Sequence, residues 1–542
     1  MASAESWDYV VVGAGSAGCA VASRLSEDPS CRVLLLEAGP VDRNPWIHVP
    51  VGYYRTMFDP KTSWVFATEP DPGIAGRSIN WPRGKVLGGS SSINGLVYCR
   101  GQAQDYDHWR QLGNPGWSFD DVLPYFRKTE RWEGGASALR GGDGPLSVSG
   151  PTYRSALMDA FIEAAKEAGI PENPDYNGES QEGVGYFQLT IRNGLRCSAA
   201  KAYLKPAMKR PNLRVVTEAL TTRLLLDGHK VTGVEYRRGG VLHEARVTGE
   251  VILSAGAIGS PHIMMLSGIG DPVELAAKGV TPVHEVKGVG RNLQDHYQAR
   301  TVWRSPLPVT INDAVATWWK RGFAGMRFAL SRQGPLSIAA GVVALFGRTR
   351  EELETPDVQF HVIPFSAEKP GEFLHPFSGY TVSVCQLRPE SRGWLALKDT
   401  DPATPPAIHP NYLATETDRQ TMVDGMKLIR RVMGQKAIAP FVAEEVHPGP
   451  AVEDDEALLA YVREKGTTIF HPSCTCMMGP ADNPMAVVDA RLKVHGLAGL
   501  RVADCSIMPA VVSGNTNAPA IMIGEKLADM IREERRGAVR AA

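Results

Sequence analysis

Eight cysteines in 542 residues are too few and too scattered to staple this chain. They stand at 19, 31, 99, 197, 385, 474, 476 and 505, so free buried thiols in a reducing cytoplasm are expected rather than a disulfide framework. An excess of either charge is also missing: 58 basic residues face 59 acidic ones. With no basic surplus to neutralise phosphates, no nucleic-acid partner is expected. Long apolar runs are absent. The longest early uncharged stretch, Tyr9 to Ser23, is too short and too glycine-rich for a transmembrane segment. The start, MASAESWDYVVVG, carries Glu5 and Asp8 and lacks both a basic lead and an apolar signal core, which predicts an unprocessed, cytoplasmic chain. There is no repeat. What remains is a globular composition, 43% hydrophobic and 22% charged, long enough for two domains.

The first motif lies at the N-terminus. DYVVVGAGSAGCAVASRL reads as a buried strand, a glycine turn and a helix with small residues on its inner face. Gly13, Gly15 and Gly18 stand in G-x-G-x-x-G spacing. The first permits a tight turn, the second lets backbone approach a pyrophosphate, and the third lets helix pack closely on strand. Alone, that motif is weak evidence. The next apolar run, CRVLLLEAG, ends in Glu37, where an acidic residue binds a ribose hydroxyl pair; a solvated strand end is the bland alternative. A carboxylate there argues against a 2′-phosphate, so an adenine dinucleotide, NAD or FAD, is expected. Residues 38–117 then abandon the βαβ repetition that an NAD domain would continue. Their centre, WPRGKVLGGSSSINGLVYCRG, offers backbone N–H groups as a cradle for an anionic or carbonyl-rich ligand.

These motifs, with others in the same order, resemble the glucose–methanol–choline family of flavoproteins. RGKVLGGSSSIN (Arg83 to Asn94), GAIGSPHIMMLSGIG (Gly256 to Gly270) and GVGRNLQDH (Gly288 to His296) follow the opening GAGSAG. The tail adds HPSCTCMMG, LRVADCSIMP and GNTNAPAIMIGEKLAD. The resemblance runs nearly end to end and implies FAD as cofactor. By it, Gly13, Gly15, Ser16 and Ala17 lie along the pyrophosphate, Glu37 and Ala38 near the adenosine ribose, and Thr221 and Ala255 at the adenine. Arg83, Val86, Gly89, Asn94, Gly95 and Val97 line the path to the isoalloxazine. Ala503 and Asp504 hold the ribityl–phosphate region, and Asn515, Thr516 and Asn517 edge the pyrimidine end. Some members link FAD covalently through a histidine in the GGSSSIN loop. Here Ile93 precedes Asn94 and the segment has no histidine, so non-covalent FAD is expected.

TTIFHPSCTCMMGP, residues 467–480, raises a choice between metal ligation and acid–base work. His471, Cys474 and Cys476 do not match structural zinc spacing, and no second pair closes a tetrahedral site, though Cys505 is a conceivable fourth ligand. No metal is expected. Oxidising an alcohol removes a hydroxyl proton and a hydride, and an imidazole with a pKa near 6.5 suits the proton. The resemblance puts a histidine at position 471, facing flavin N5, and a histidine or asparagine partner at Asn515; Asn517 competes for that partner's role. Where many relatives show glycine, this chain has Cys474.

The expected fold is α/β (α+β): a Rossmann-like FAD-binding domain assembled from 1–150, 198–305 and 465–542, plus a substrate domain from 151–197 and 306–464. NLRVVTEAL, TTRLLLDG, KVTGVEYRR and EVILSAG read as an antiparallel appendage to the first. DVQFHVIPF, GYTVSVCQL and GWLALKD read as a mainly antiparallel second sheet, with AVATWWKRGFAGMRFALSRQG and ETDRQTMVDGMKLIRRVMG as helices packed on it. Trp318 and Trp319 are expected in the core or between helices. The implied activity is FAD-dependent oxidation of a primary alcohol to an aldehyde. A flavin-containing lyase or light-driven decarboxylase on the same fold is the alternative. Oxygen or a quinone would reoxidise the flavin, the latter with peripheral association at the inner membrane. A choline substrate would require a pocket carboxylate and aromatic faces, and because the sequence places no such carboxylate, an uncharged aliphatic or aromatic alcohol is expected.

Overall fold

Three consecutive β-branched valines with apolar neighbours on both faces make Ser6–Val12 an interior strand. In the computed structural model, which describes residues 6–369 and 371–541, this strand pairs in parallel with Val33–Leu36 on one side and Val241–Leu253 on the other. The segment MASAE, part of the expected unprocessed start, lies outside the described residues. The sheet continues from Val33–Leu36 to Leu213–Val216, and from Val241–Leu253 to Lys230–Arg238 and Ala219–Asp227; Leu500–Val502 joins in parallel at Val251 to Leu253. The 13-residue strand Val241–Leu253 does two jobs. Its first half pairs antiparallel with Lys230–Arg238, and its second half lies parallel to the opening strand.

Leu213–Val216, expected in the antiparallel appendage, is instead a parallel edge strand beside Val33–Leu36. It returns to the sheet by a crossover rather than a hairpin, and a crossover delivers a parallel strand.

The glycine turn does what its spacing implies. Gly13 has φ +99°, and the helix Ser16–Leu25 follows. A Cβ on Gly18 would sit 1.9 Å from the Gly13 carbonyl oxygen, so any side chain there would drive the helix off the strand. The long C-terminal helix, Asn517–Ala541, packs across the same helix, and Arg24 pairs with the buried Glu525 at 2.8 Å.

A second seven-stranded sheet is wholly antiparallel. Its order is Glu444–His447, Tyr297–Arg304, Gly379–Gln386, Val358–Ile363, Val343–Gly347 and Gly183–Tyr186, with Thr467–Thr468 pairing Tyr297–Arg304. Tyr297–Arg304 and Thr467–Thr468 therefore belong to this sheet, although both fall in stretches expected with the FAD-binding domain. Helix Glu416–Met433 covers one face. Trp394–Ala396 does not join; it forms a separate hairpin with Ala407–His409. The helix Trp318–Ser331 also departs from expectation. Only Ala324 and Phe328 on it are buried, so its inward stripe is too narrow to bury the two tryptophans, and Trp318 and Trp319 are exposed.

Candidate active site

Two adjoining cavities run between the sheets and share Ser16, Arg83, Ser90, Cys505, Thr516 and Ala520. The first-sheet end is lined by Gly13, Gly15, Ser16, Ala17, Glu37, Ala38, Gly89, Thr221, Ala255 and Asp504. Its polar groups are poised for a ligand. Glu37 is buried and accepts N–H donors from Ala14 (2.9 Å) and Gly39 (2.8 Å), while burial pushes its carboxyl up to about 7. The Thr221 hydroxyl is buried without a hydrogen-bond partner. Gly15 has open space where a Cβ would stand, nothing lying nearer than the Ser254 oxygen at 3.8 Å. Orphaned buried polarity beside a glycine cradle at a helix N-terminus fits a dinucleotide pyrophosphate and ribose.

The other cavity holds the titratable groups. Thr467–Thr468 pairs with Tyr297 and Gln298, and that register carries FHPS along NLQDH. Ile469 N–H donates to the His296 carbonyl at 3.0 Å, His471 N–H to Asp295 Oδ1 at 2.7 Å, and Ser473 N–H to the Gln294 carbonyl at 2.9 Å. Asp295 is held in turn by the Tyr412 hydroxyl. Arg83 donates to the Phe470 carbonyl at 2.5 Å, in a turn where Phe470 has φ +68°. The His471 ring is thus placed by three separate segments.

Its hydrogen bonds define its proton. His296 Nε2 lies 3.0 Å from the Leu387 carbonyl, which can only accept, so Nε2 carries the His296 hydrogen. Burial holds His296 down to about 4, so the ring is neutral and its Nδ1 is a lone pair. His471 Nδ1, 2.9 Å away, must therefore donate to it. That leaves His471 Nε2 as the lone pair, 3.2 Å from Asn515 Nδ2. The Asn515 amide is oriented independently, because its Oδ1 accepts from Gln359 Nε2 at 3.2 Å. Burial first, then His296, His361 and Arg83, keep the His471 pKa well below its usual 6.5. The result is a buried, neutral imidazole with its basic nitrogen turned to Asn515 and the cavity they share.

Most of the expected site residues line one cavity or the other, including Asn94, Gly95, Val97, Asn517 and Thr516. Val86 and Ala503 do not. Val86 is buried with Ile47 and Ile93, and Ala503 is tied into the backbone, donating to the Leu253 carbonyl and accepting from Ser254 Oγ. Asn515 is the amide beside His471; Asn517 instead accepts from Ser16 Oγ at 2.8 Å. Cys474 takes φ +76°, a conformation natural to glycine, and its thiol lies 3.4 Å from Gln294 Oε1. Sequence reasoning missed His296, His361 and Gln359. His296 stood within a quoted motif, but its role depends on strand pairing across some 170 residues of chain, which no local pattern encodes.

This arrangement of an adenine-dinucleotide cradle leading to a buried imidazole, with the similarities below, makes the chain an FAD-dependent oxidoreductase acting on CH–OH groups. GMC oxidoreductase matches cover residues 7–298 and 389–524. The chain belongs to the GMC oxidoreductase family. It is 45% identical to the mitochondrial choline dehydrogenase of Mus musculus, over 97% of this chain and 90% of the relative. It is 42% identical to an alcohol dehydrogenase [acceptor] of Pseudomonas putida, over 97% and 95%. Pyridoxine 4-oxidase from Mesorbium loti superposes with a TM-score of 0.88 at 30% identity, covering 97% of this chain and 99% of that one. None of these three is a lyase or a decarboxylase. Among the described residues no helix is long and apolar enough to cross a membrane.

Proposed function

We propose that His471 is the base that accepts the hydroxyl proton of a primary alcohol, giving an aldehyde, and that Asn515 holds the alcohol oxygen. The observation that supports this most is the hydrogen-bond order from Leu387 through His296, which leaves the His471 Nε2 lone pair toward the cavity. Bound FAD supplies the hydride acceptor.

In the free protein one Asn515 amide hydrogen occupies that lone pair. A substrate hydroxyl replaces it, donating to Nε2 while its oxygen accepts from the amide. The substrate oxygen then gains alkoxide character next to a fixed donor. Asn515 can donate but not take up the proton, so His471 carries the pH dependence. Because its pKa is depressed, the imidazole is neutral and competent at physiological pH.

The cofactor contacts are proposed to be those lining the two cavities, with Glu37 on the ribose, and the FAD to be non-covalent, since Ile93 stands where a linking histidine would. We also propose a two-part chain: 1–150, 198–305 and 465–542 around FAD, 151–197 and 306–464 over the substrate, with strand Tyr297–Arg304 assigned to the second part by its pairing. The electron acceptor is oxygen or a quinone. Anaerobic mixing with a panel of primary alcohols tests the activity: bleaching of the flavin absorbance supports the proposal, and a flavin no alcohol reduces contradicts it. Turnover with oxygen and with a quinone in parallel separates the acceptors.

A further inference from the structure

The alcohol cavity contains a cation without a counter-ion. Arg300 lies two positions after Gln298 on strand Tyr297–Arg304, so both project from one face, and both line the cavity with His361, His471 and Asn515. The Arg300 guanidinium has no hydrogen-bond or ion-pair partner among the described residues, and burial lowers its pKa from the usual value. Among the described residues no Asp or Glu lines this cavity. Its other cations are Arg83, engaged with the Phe470 carbonyl and Ser90, and Lys369, exposed at the rim. A half-buried guanidinium with five donors not engaged by protein is a ready partner for an anionic ligand group.

We propose that the substrate is an alcohol bearing a carboxylate, bound through Arg300, and that quaternary ammonium alcohols are disfavoured. The inference rests on His471 being the base in the same cavity. A carboxylate matches the planar fork of Arg300 with two parallel bonds, whereas a trimethylammonium group would face cations and no acid. The mitochondrial choline dehydrogenase relative therefore shares this chain's fold and family without sharing its substrate.

The test compares ω-hydroxycarboxylates of increasing length, the matched n-alcohols and choline as reductants of the holoenzyme. Binding of a non-reacting alkanoate is read by calorimetry. The best hydroxycarboxylate should exceed its matched n-alcohol in kcat/KM by at least about tenfold. Arg300→Met should abolish that preference and the alkanoate binding, and Arg300→Lys should restore part of both. Equal rates on charged and neutral alcohols, choline as the best substrate, or Arg300→Met slowing every alcohol alike would each overturn the inference while leaving His471 as base. A flavin that no alcohol reduces would overturn both readings.

An independent surface carries a second inference. On helix Trp318–Ser331, Trp319, Phe323, Met326 and Leu330 recur at helical spacing and are 57, 60, 54 and 83% exposed, and Trp318 is 83% exposed. Lys320, Arg321, Arg327 and Arg332 flank them, and no acidic residue occurs between Ala314 and Arg350. The turn Pro335–Ser337 that follows packs on Pro50–Gly52, next to the cavity residues Tyr53 and Tyr54. We infer that this face docks on an anionic lipid surface, aromatic side chains inserted and cations at the headgroups. A two-fold contact with a second copy would crowd the same cations together unanswered.

Holoenzyme should float with phosphatidylglycerol-containing vesicles and not with phosphatidylcholine alone. Trp319→Ser with Phe323→Ser, and Lys320→Glu with Arg327→Glu, should each weaken binding at least about tenfold while keeping turnover with a water-soluble acceptor. No flotation, undiminished flotation of both variants, or dimerisation that the same changes abolish would overturn it.

Discussion

Replacing His296 tests the proton order directly. In His296→Leu the Nδ1–H of His471 loses its acceptor, 2.9 Å away, inside a fully buried setting. An unsatisfied buried donor costs roughly 1–3 kcal/mol. With alcohol bound, His471 escapes that cost by moving its hydrogen to Nε2, where it donates to the alcohol oxygen beside the Asn515 amide and no longer offers a lone pair to the hydroxyl. If the productive tautomer becomes the minor one by that amount, flavin reduction slows about 5- to 150-fold. His296→Asn places an amide oxygen near the former Nδ1 and restores the acceptor, so it should recover most of the rate although the Leu387 contact is lost. The assay is anaerobic stopped-flow reduction under saturating alcohol, with flavin content measured for each variant. Equal slowing in the Leu and Asn variants, or no slowing in either, would refute the reasoning.

Other outcomes follow from the same geometry. Because the folded pKa of His471 lies well below 6.5, activity should persist as pH falls through 6.5 and disappear only lower; an acid limb of kcat/KM at or above 6.5 contradicts this. Stability behaves differently. His296 stays neutral down to about 4 when folded but takes a proton near 6.5 when unfolded, so stability should fall as pH drops across that window, by on the order of 3 kcal/mol from this residue, and level off below it. Urea melts at stepped pH check the sign. Gly18→Ala would press a methyl group 1.9 Å from the Gly13 oxygen, costing about 1–3 kcal/mol or more and lowering the flavin-to-protein ratio; unchanged flavin content would contradict the turn assignment. Acid precipitation should leave the flavin in the supernatant, and a yellow pellet would contradict non-covalent binding.

How far the sequence reached depended on range. The glycine turn, Glu37 and the strands around 219–253 were legible because each is a local pattern whose turn residues and periodicity stand side by side. Leu213–Val216 and Trp394–Ala396 were misplaced because an apolar run fixes strand propensity but not which strand it meets. Trp318 and Trp319 were misread for a related reason: size and apolarity usually mean burial, and nothing local reports that the face opposite is empty. At the site, the family resemblance singled out His471 and Asn515, whose side chains lie 3.2 Å apart. His296 and Arg300 acquire meaning only once Thr467–Thr468 and Tyr297–Arg304 are paired, which brings segments far apart in sequence to one cavity wall.

The most direct test of the account is transient flavin reduction in His471→Ala under anaerobic conditions. Loss of a positioned general base should slow reduction by about 100- to 10,000-fold while the protein stays yellow and folded. Reduction at the wild-type rate in that variant would contradict the assignment of the imidazole as the proton acceptor.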